Sequence, residues 1–187
     1  MSADDVRSAV VEAAREMLRL GLVSGTSGNA SARDGDEVLI TPAALSYERM
    51  SEDDLVAIGM DGEPAEGQRE PSSERRVHLA IYAARSDVGA VVHTHSVHAT
   101  AWSFTGEPLD TGTEELELAA GGGVLTAAFA PTGTDEIAAA AVDALGDRRA
   151  VLLARHGVVA VGDTPAAALD TCVAVERQAQ IAWLLRW

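Results

Sequence analysis

The stretch Gly89-Ala-Val-Val-His-Thr-His95 constrains the fold more than any other part of the chain. Its apolar centre is short and shows no alternation, so it reads as a buried strand that runs out into polar residues. Ala150–Ala154 and Val158–Val161 read as two more such strands, bracketing Arg155-His156-Gly157. Buried strands need covering layers, and segments of helical period supply them. Residues 4–20 repeat Val6, Val10, Ala13, Ala14, Met17 and Leu18, with Gly21 as a stop. A second helix is expected from Pro71-Ser-Ser-Glu74 to about Ala84, with Ser72 or Ser73 as cap and an acid in its first turn. Further helices are expected at Val97–Phe104, at Thr134–Leu145 with Thr134 as cap, and from Pro165 to Trp187. Ala30–Arg33 and Glu37–Thr41 flank Asp34-Gly35-Asp36 as a hairpin. Leu55–Met60 and a short segment after the Gly121–Gly123 turn complete the strands. Helices and short strands interleave, which predicts an α/β layered domain with a mixed or largely antiparallel sheet. At 187 residues, with no repeat or linker, the whole of 1–187 reads as one domain.

Charge removes several function classes. There are 29 acidic residues against 14 basic ones, a formal charge of -15, which opposes nucleic acid or an anionic membrane as partner. All of the basic residues are Arg. Without a lysine amine, Schiff-base chemistry and a Walker-type phosphate loop are both excluded. The lone Cys172 lies in an apolar helical run and reads as a buried thiol. Met1-Ser2-Ala3-Asp4-Asp5 has no basic leader and no window reaches membrane-spanning length, so a soluble cytoplasmic protein is expected.

The histidines point to a metal. His93 and His95 stand two apart at a strand end, so their rings project from one face and offer two nitrogens to one cation. A catalytic zinc site takes three protein ligands and leaves a position open; His156, at the break between two apolar strands, is the strongest third candidate. A single histidine is commonly just a satisfied polar residue, but a His-x-His pair in one pocket needs a partner to offset repulsion. His98 reads as packing or support for a ligand. Glu74 is either an ordinary acid at a helix start or a general base delivered to a cleft. Ser72 and Ser73 before it, and Gly25-Thr-Ser-Gly-Asn29, are donor-rich turns of the kind that bind anions.

Taken together, Gly25-Thr-Ser-Gly-Asn29 with Ser31, Leu39-Ile-Thr-Pro42, Pro71-Ser-Ser-Glu74 with His78, Val92-His-Thr-His-Ser-Val-His98 and His156-Gly157 resemble the class II aldolase/adducin head family. Ser-Ser-Glu resembles the branch acting on ketose 1-phosphates of the L-fuculose type. The resemblance implies a single three-layer α/β/α domain around a mainly antiparallel sheet, assembled as a homotetramer. It implies Zn2+ held by His93, His95 and His156, with Glu74 as acid/base and as a further metal ligand when substrate is absent. Thr26, Gly28, Asn29, Ser72 and Ser73 match the phosphate-binding groups of a small phosphorylated sugar substrate. The implied reaction cleaves a ketose 1-phosphate to dihydroxyacetone phosphate and an aldehyde, with zinc as Lewis acid stabilising the enediolate that Glu74 protonates. Alternatives on the same metal site are a sugar-phosphate 4-epimerase or a methylthioribulose-phosphate-type dehydratase; a third is a non-catalytic adducin-like interaction module. Two departures stand out: Ala43-Ala44 replaces a small hydroxyl residue and Gly, and Glu114, Glu115 and Glu117 occupy the region of a family tyrosine, placing an acidic cluster near the site.

Overall fold

The computed structural model describes residues 3–110 and 112–186. Met1, Ser2 and Trp187, which carry part of the amino-terminal reading and the expected end of the last helix, lie outside the described residues, as does Thr111. The elements run α1 (Ala3–Arg19), β1 (Asn29–Asp34), β2 (Glu37–Ile40), β3 (Val56–Ile58), α2 (Arg75–Ala84), β4 (Ala90–Thr94), α3 (Val97–Ser103), α4 (Glu114–Ala120), β5 (Leu125–Ala127), α5 (Asp135–Leu145), β6 (Ala150–Leu153), β7 (Gly157–Gly162) and α6 (Pro165–Leu185). The seven strands form one sheet in the order β3-β2-β1-β4-β7-β6-β5. Only β5–β6 is parallel; the other neighbours are antiparallel, so the sheet is mixed and mostly antiparallel.

Strand alternation divides the core into two layers. Ala90, Val92, Leu152, Val158 and Ala160 face α1, α3, α4 and α6, while Val91, Val151, Leu153, Val159 and Val161 face α2 and α5. The result is the α/β/α sandwich that the resemblance implies. β4 and β7 are covered on both sides, which is why their sequences carry unbroken apolar runs. Each fully buried valine there contributes about 1.5–3 kcal/mol relative to exposure. Among the described residues no helix is long and apolar enough to cross a membrane.

Three local expectations change. The strand at Leu55–Met60 is shorter, Val56–Ile58. α4 was not anticipated: Thr113 caps it through its side chain and Gly121 closes it in the left-handed region, φ +74. Finally, α2 starts at Arg75 with Glu74 as its N-cap residue, neither serine caps it, and its first turn contains no acid. The Ser72 hydroxyl instead accepts the Glu74 N–H at 3.2 Å, and the Ser72 N–H donates to Thr41 O, tying the segment to β2 before the helix begins.

Candidate metal centre

β4 delivers His93 on its α2-facing side and His95 just past its end. The turn between β6 and β7 delivers His156. It is tight enough that Arg155 adopts φ +62, and its last residue must be glycine, since a Cβ on Gly157 would lie 2.2 Å from Thr94 O. The three imidazoles stand in mutual edge contact, ring centres 4.7–4.8 Å apart. Glu74 closes the group from the start of α2. Its Oε1 lies 3.0 Å from His156 Nε2 and its Oε2 lies 3.2 Å from His93 Nε2. All four ligand atoms fall within 4.8 Å of one another.

The surroundings prepare these nitrogens for a cation. His93 Nδ1 is 2.9 Å from Val158 O, so it donates there and turns Nε2 inward, the arrangement by which a carbonyl fixes a metal-binding tautomer. Inside, His93 Nε2 faces His95 Nε2 at 2.9 Å. Burial alone would raise the Glu74 carboxyl, but the charge on His93 and hydrogen bonds from His156 and His93 hold it well below the usual carboxylate range. His93 moves the other way: burial opposes its charge, yet the Glu74 carboxylate raises it overall. His95 is pushed down to about 4 by burial and by its two charged neighbours. The single Glu74 carboxylate is shared between His93 and His156, while His95, held low, presents an unprotonated nitrogen to the same point. Three imidazole nitrogens and a carboxylate converging on one point fit a single divalent metal.

His98 lies apart. Its Nδ1 contacts Glu176 Oε1 at 2.7 Å, and Glu176 also accepts the His98 and Ala99 N–H groups, capping α3.

A cleft of about 510 Å³ opens onto the centre, and the structure brings Thr26, Gly28, Asn29, Ser72 and Ser73 to its wall together with Glu74, His95 and His156. No Arg lines it. Gly28 is fixed by φ +74 and by the approach of His93 O, 2.7 Å from where its Cβ would be. Ala44 adopts φ 56, a conformation that costs an L-residue roughly 1–2 kcal/mol. A larger groove, about 740 Å³, lies between α1 and α6 and contains no histidine.

The expectation of an acidic cluster near the site is corrected. Glu114, Glu115 and Glu117 ride on α4, which packs against α6; Glu115 pairs with Arg177 at 3.4 Å, and none of the three lines the cleft. Sequence reasoning missed Thr132, which lines the cleft from the loop before α5. It also missed a buried chain behind Glu74. Asn29 Nδ2 donates to Glu74 Oε2 at 2.7 Å, and Asn29 Oδ1 meets His78 Nε2 at 2.5 Å. His78 Nδ1 meets Ser31 Oγ at 2.7 Å, and Ser31 Oγ meets the Tyr82 hydroxyl at 2.8 Å. Burial and the charge on His93 push His78 down to about 3, so it is neutral. The available signal was spacing: Glu74, His78 and Tyr82 recur every four residues, Asn29 and Ser31 every two.

The chain as a whole is similar to known proteins in sequence and in fold. Residues 8–183 match the family model described as Class II Aldolase and Adducin N-terminal domain. A 5-methylthioribulose-1-phosphate/5-deoxyribulose-1-phosphate aldolase of Rhodospirillum rubrum is 42% identical over 178 residues, 95% of this chain and 80% of that protein. An L-fuculose phosphate aldolase of Escherichia coli O6:H1 is 41% identical over 151 residues, covering 81% of this chain and 70% of that protein. The solved structure of an L-fuculose 1-phosphate aldolase superposes with a TM-score of 0.93 at 34% identity, covering 100% of this chain and 88% of that one.

Proposed function

Since the chain belongs to the class II aldolase and adducin N-terminal domain family, whose aldolases are metal-dependent, we propose that it is a zinc aldolase cleaving a ketose 1-phosphate into dihydroxyacetone phosphate and an aldehyde. The observation that carries the reading is the convergence of Glu74 on His93, His95 and His156 beside a cleft lined by small uncharged donors. Three imidazoles and a carboxylate are donors that zinc accepts readily. The metal, when bound, supplies the Lewis acidity that draws off the charge left on the ketone fragment by carbon–carbon cleavage.

The chain's own residues supply the rest. Thr26, Gly28, Asn29, Ser72 and Ser73 hold the substrate phosphate through hydroxyl, amide and backbone donors, hydrogen bonds to a charged group being worth about 1.5–3 kcal/mol each. Glu74, released from the histidines by an arriving substrate, moves a proton to or from the carbon next to the carbonyl. Support for a ketose 1-phosphate comes from the relatives, whose names specify 5-methylthioribulose-1-phosphate/5-deoxyribulose-1-phosphate and L-fuculose phosphate. The proposal extends to a homotetramer in the cytoplasm. Exposed Val97 and Phe104 in and after α3, with Leu184 and Leu185 on the adjoining α6, offer apolar surface for a subunit contact.

The test is incubation of the zinc-loaded protein with ketose 1-phosphates, including the L-fuculose and 5-deoxyribulose compounds, with assay of dihydroxyacetone phosphate. Release of that product from at least one is expected. An epimerised or dehydrated sugar instead, or no turnover by a metal-replete protein, overturns the reading.

A further inference from the structure

The buried chain behind Glu74 has only one self-consistent direction. A carboxylate accepts, so the Asn29 atom facing Glu74 is its NH2 group, and Oδ1 is left for His78. Oδ1 in turn accepts, so His78 carries its proton on Nε2, and a neutral ring then presents a bare Nδ1 to Ser31. The single Ser31 proton goes to that nitrogen, which leaves the Ser31 oxygen to accept from Tyr82. Two periodicities build this path: β1 turns Asn29 and Ser31 toward α2, and α2 turns Glu74, His78 and Tyr82 toward β1. Arg33, the next β1 residue on that side, places its guanidinium 4.7 Å from the centre of the Tyr82 ring and closes the far end.

We propose that Tyr82, Ser31 and His78 form a one-way donor chain that locks the Asn29 amide in the orientation that donates to Glu74, making His78 a positioning residue for that carboxylate. The consequence rests on alternatives that the lock excludes. With the opposite His78 tautomer the amide would turn over and present Oδ1 to the Glu74 carboxylate, an oxygen–oxygen repulsion that moves Glu74 away from the histidines. An unlocked amide would sample both states. Although the functional consequence rests on the aldolase reading, the direction of the chain does not.

The experiment uses the full chain with 15N-labelled histidine, metal-free, in a long-range 1H–15N spectrum; His78→Gln identifies the His78 signals by their loss. The Nε2–H tautomer is expected, and Ser31→Ala, which removes the donor to Nδ1, should shift His78 toward the other tautomer. In the same variant, zinc affinity by chelator competition, or the rate of dihydroxyacetone phosphate methylene-proton exchange in the loaded enzyme, should fall about ten- to a hundredfold, the usual effect of losing a group that orients a ligand. His78→Gln, whose amide nitrogen replaces Nε2, should retain most of the wild-type value, and His78→Leu should not. If Ser31→Ala fails to fold, the wild-type His78 tautomer and the contrast between His78→Gln and His78→Leu decide the proposal. An Nδ1–H tautomer in the wild type overturns the proposal. So do folded Ser31→Ala and His78→Leu proteins with wild-type affinity and exchange. If the wild type exchanges no proton, the aldolase reading fails alone, while tautomer and zinc affinity still decide the chain.

Discussion

Glu74 sits where two explanations of one acidic residue diverge. A helix-start acid favours the macrodipole by a few tenths of a kcal/mol and is indifferent to turnover. The N-cap position of Glu74 is compatible with that role, but its 7% exposure and the commitment of both oxygens to His93, His156 and Asn29 give it partners that a helix-start acid does not need. Glu74→Gln keeps the shape of the side chain and deletes the proposed base. Its expected effect is a fall in kcat of roughly a hundred- to ten-thousandfold, the range that positioned acid/base groups contribute. The three histidines should keep the metal meanwhile. Solvent-deuterium exchange at the methylene of dihydroxyacetone phosphate is the measurement, since it reports proton transfer without the aldehyde. Normal exchange in the metal-replete variant would remove Glu74 from the chemistry.

Among the elements, the central pair β4–β7 holds the site, and its glycine is the sensitive point. A methyl group on Gly157 would meet Thr94 O at 2.2 Å and His93 Cε1 at 3.3 Å. Gly157→Ala must therefore push β7 off β4, carrying His156 away from His93. We expect loss of metal with much of the secondary structure retained, seen by elemental analysis beside far-ultraviolet circular dichroism. A variant that binds metal normally would contradict this placement. The strands that matter here were legible in the sequence because both faces are covered: Ala90-Val-Val and Ala150-Val-Leu-Leu advertise burial directly, and the His-x-His step follows from strand alternation. What was hidden depends on exact backbone placement: the Ser72 hydroxyl accepts the Glu74 N–H two residues on and so leaves Glu74 at the N-cap, and the turn that brings His156 in is set by the close approach of Gly157 to Thr94 on β4. α4 was hidden because three glutamates mask an apolar pair, Leu116 and Ala120, that only α6 makes meaningful.

For the whole molecule, a metal held by residues from α2, β4 and the β6–β7 turn binds only the folded chain. Saturation at a hundred times Kd should stabilise it by about 2.7 kcal/mol. For a domain of this size that is a rise in Tm of roughly 5–10 °C. Thermal denaturation with and without a chelator checks this, and His95→Ala should abolish the difference; an equal shift in His95→Ala would place the metal elsewhere. The same strand order governs how the chain is made. β4 pairs on one side with β1, where Ala32 meets Ala90, and on the other with β7, where Ala90 meets Gly162. While β7 is still inside the ribosome, β4 has an open edge and His156 has no place to go. Metal binding therefore waits for β7 to pair with β4, a contact between residues some 70 apart in sequence that no fragment ending before β7 can make.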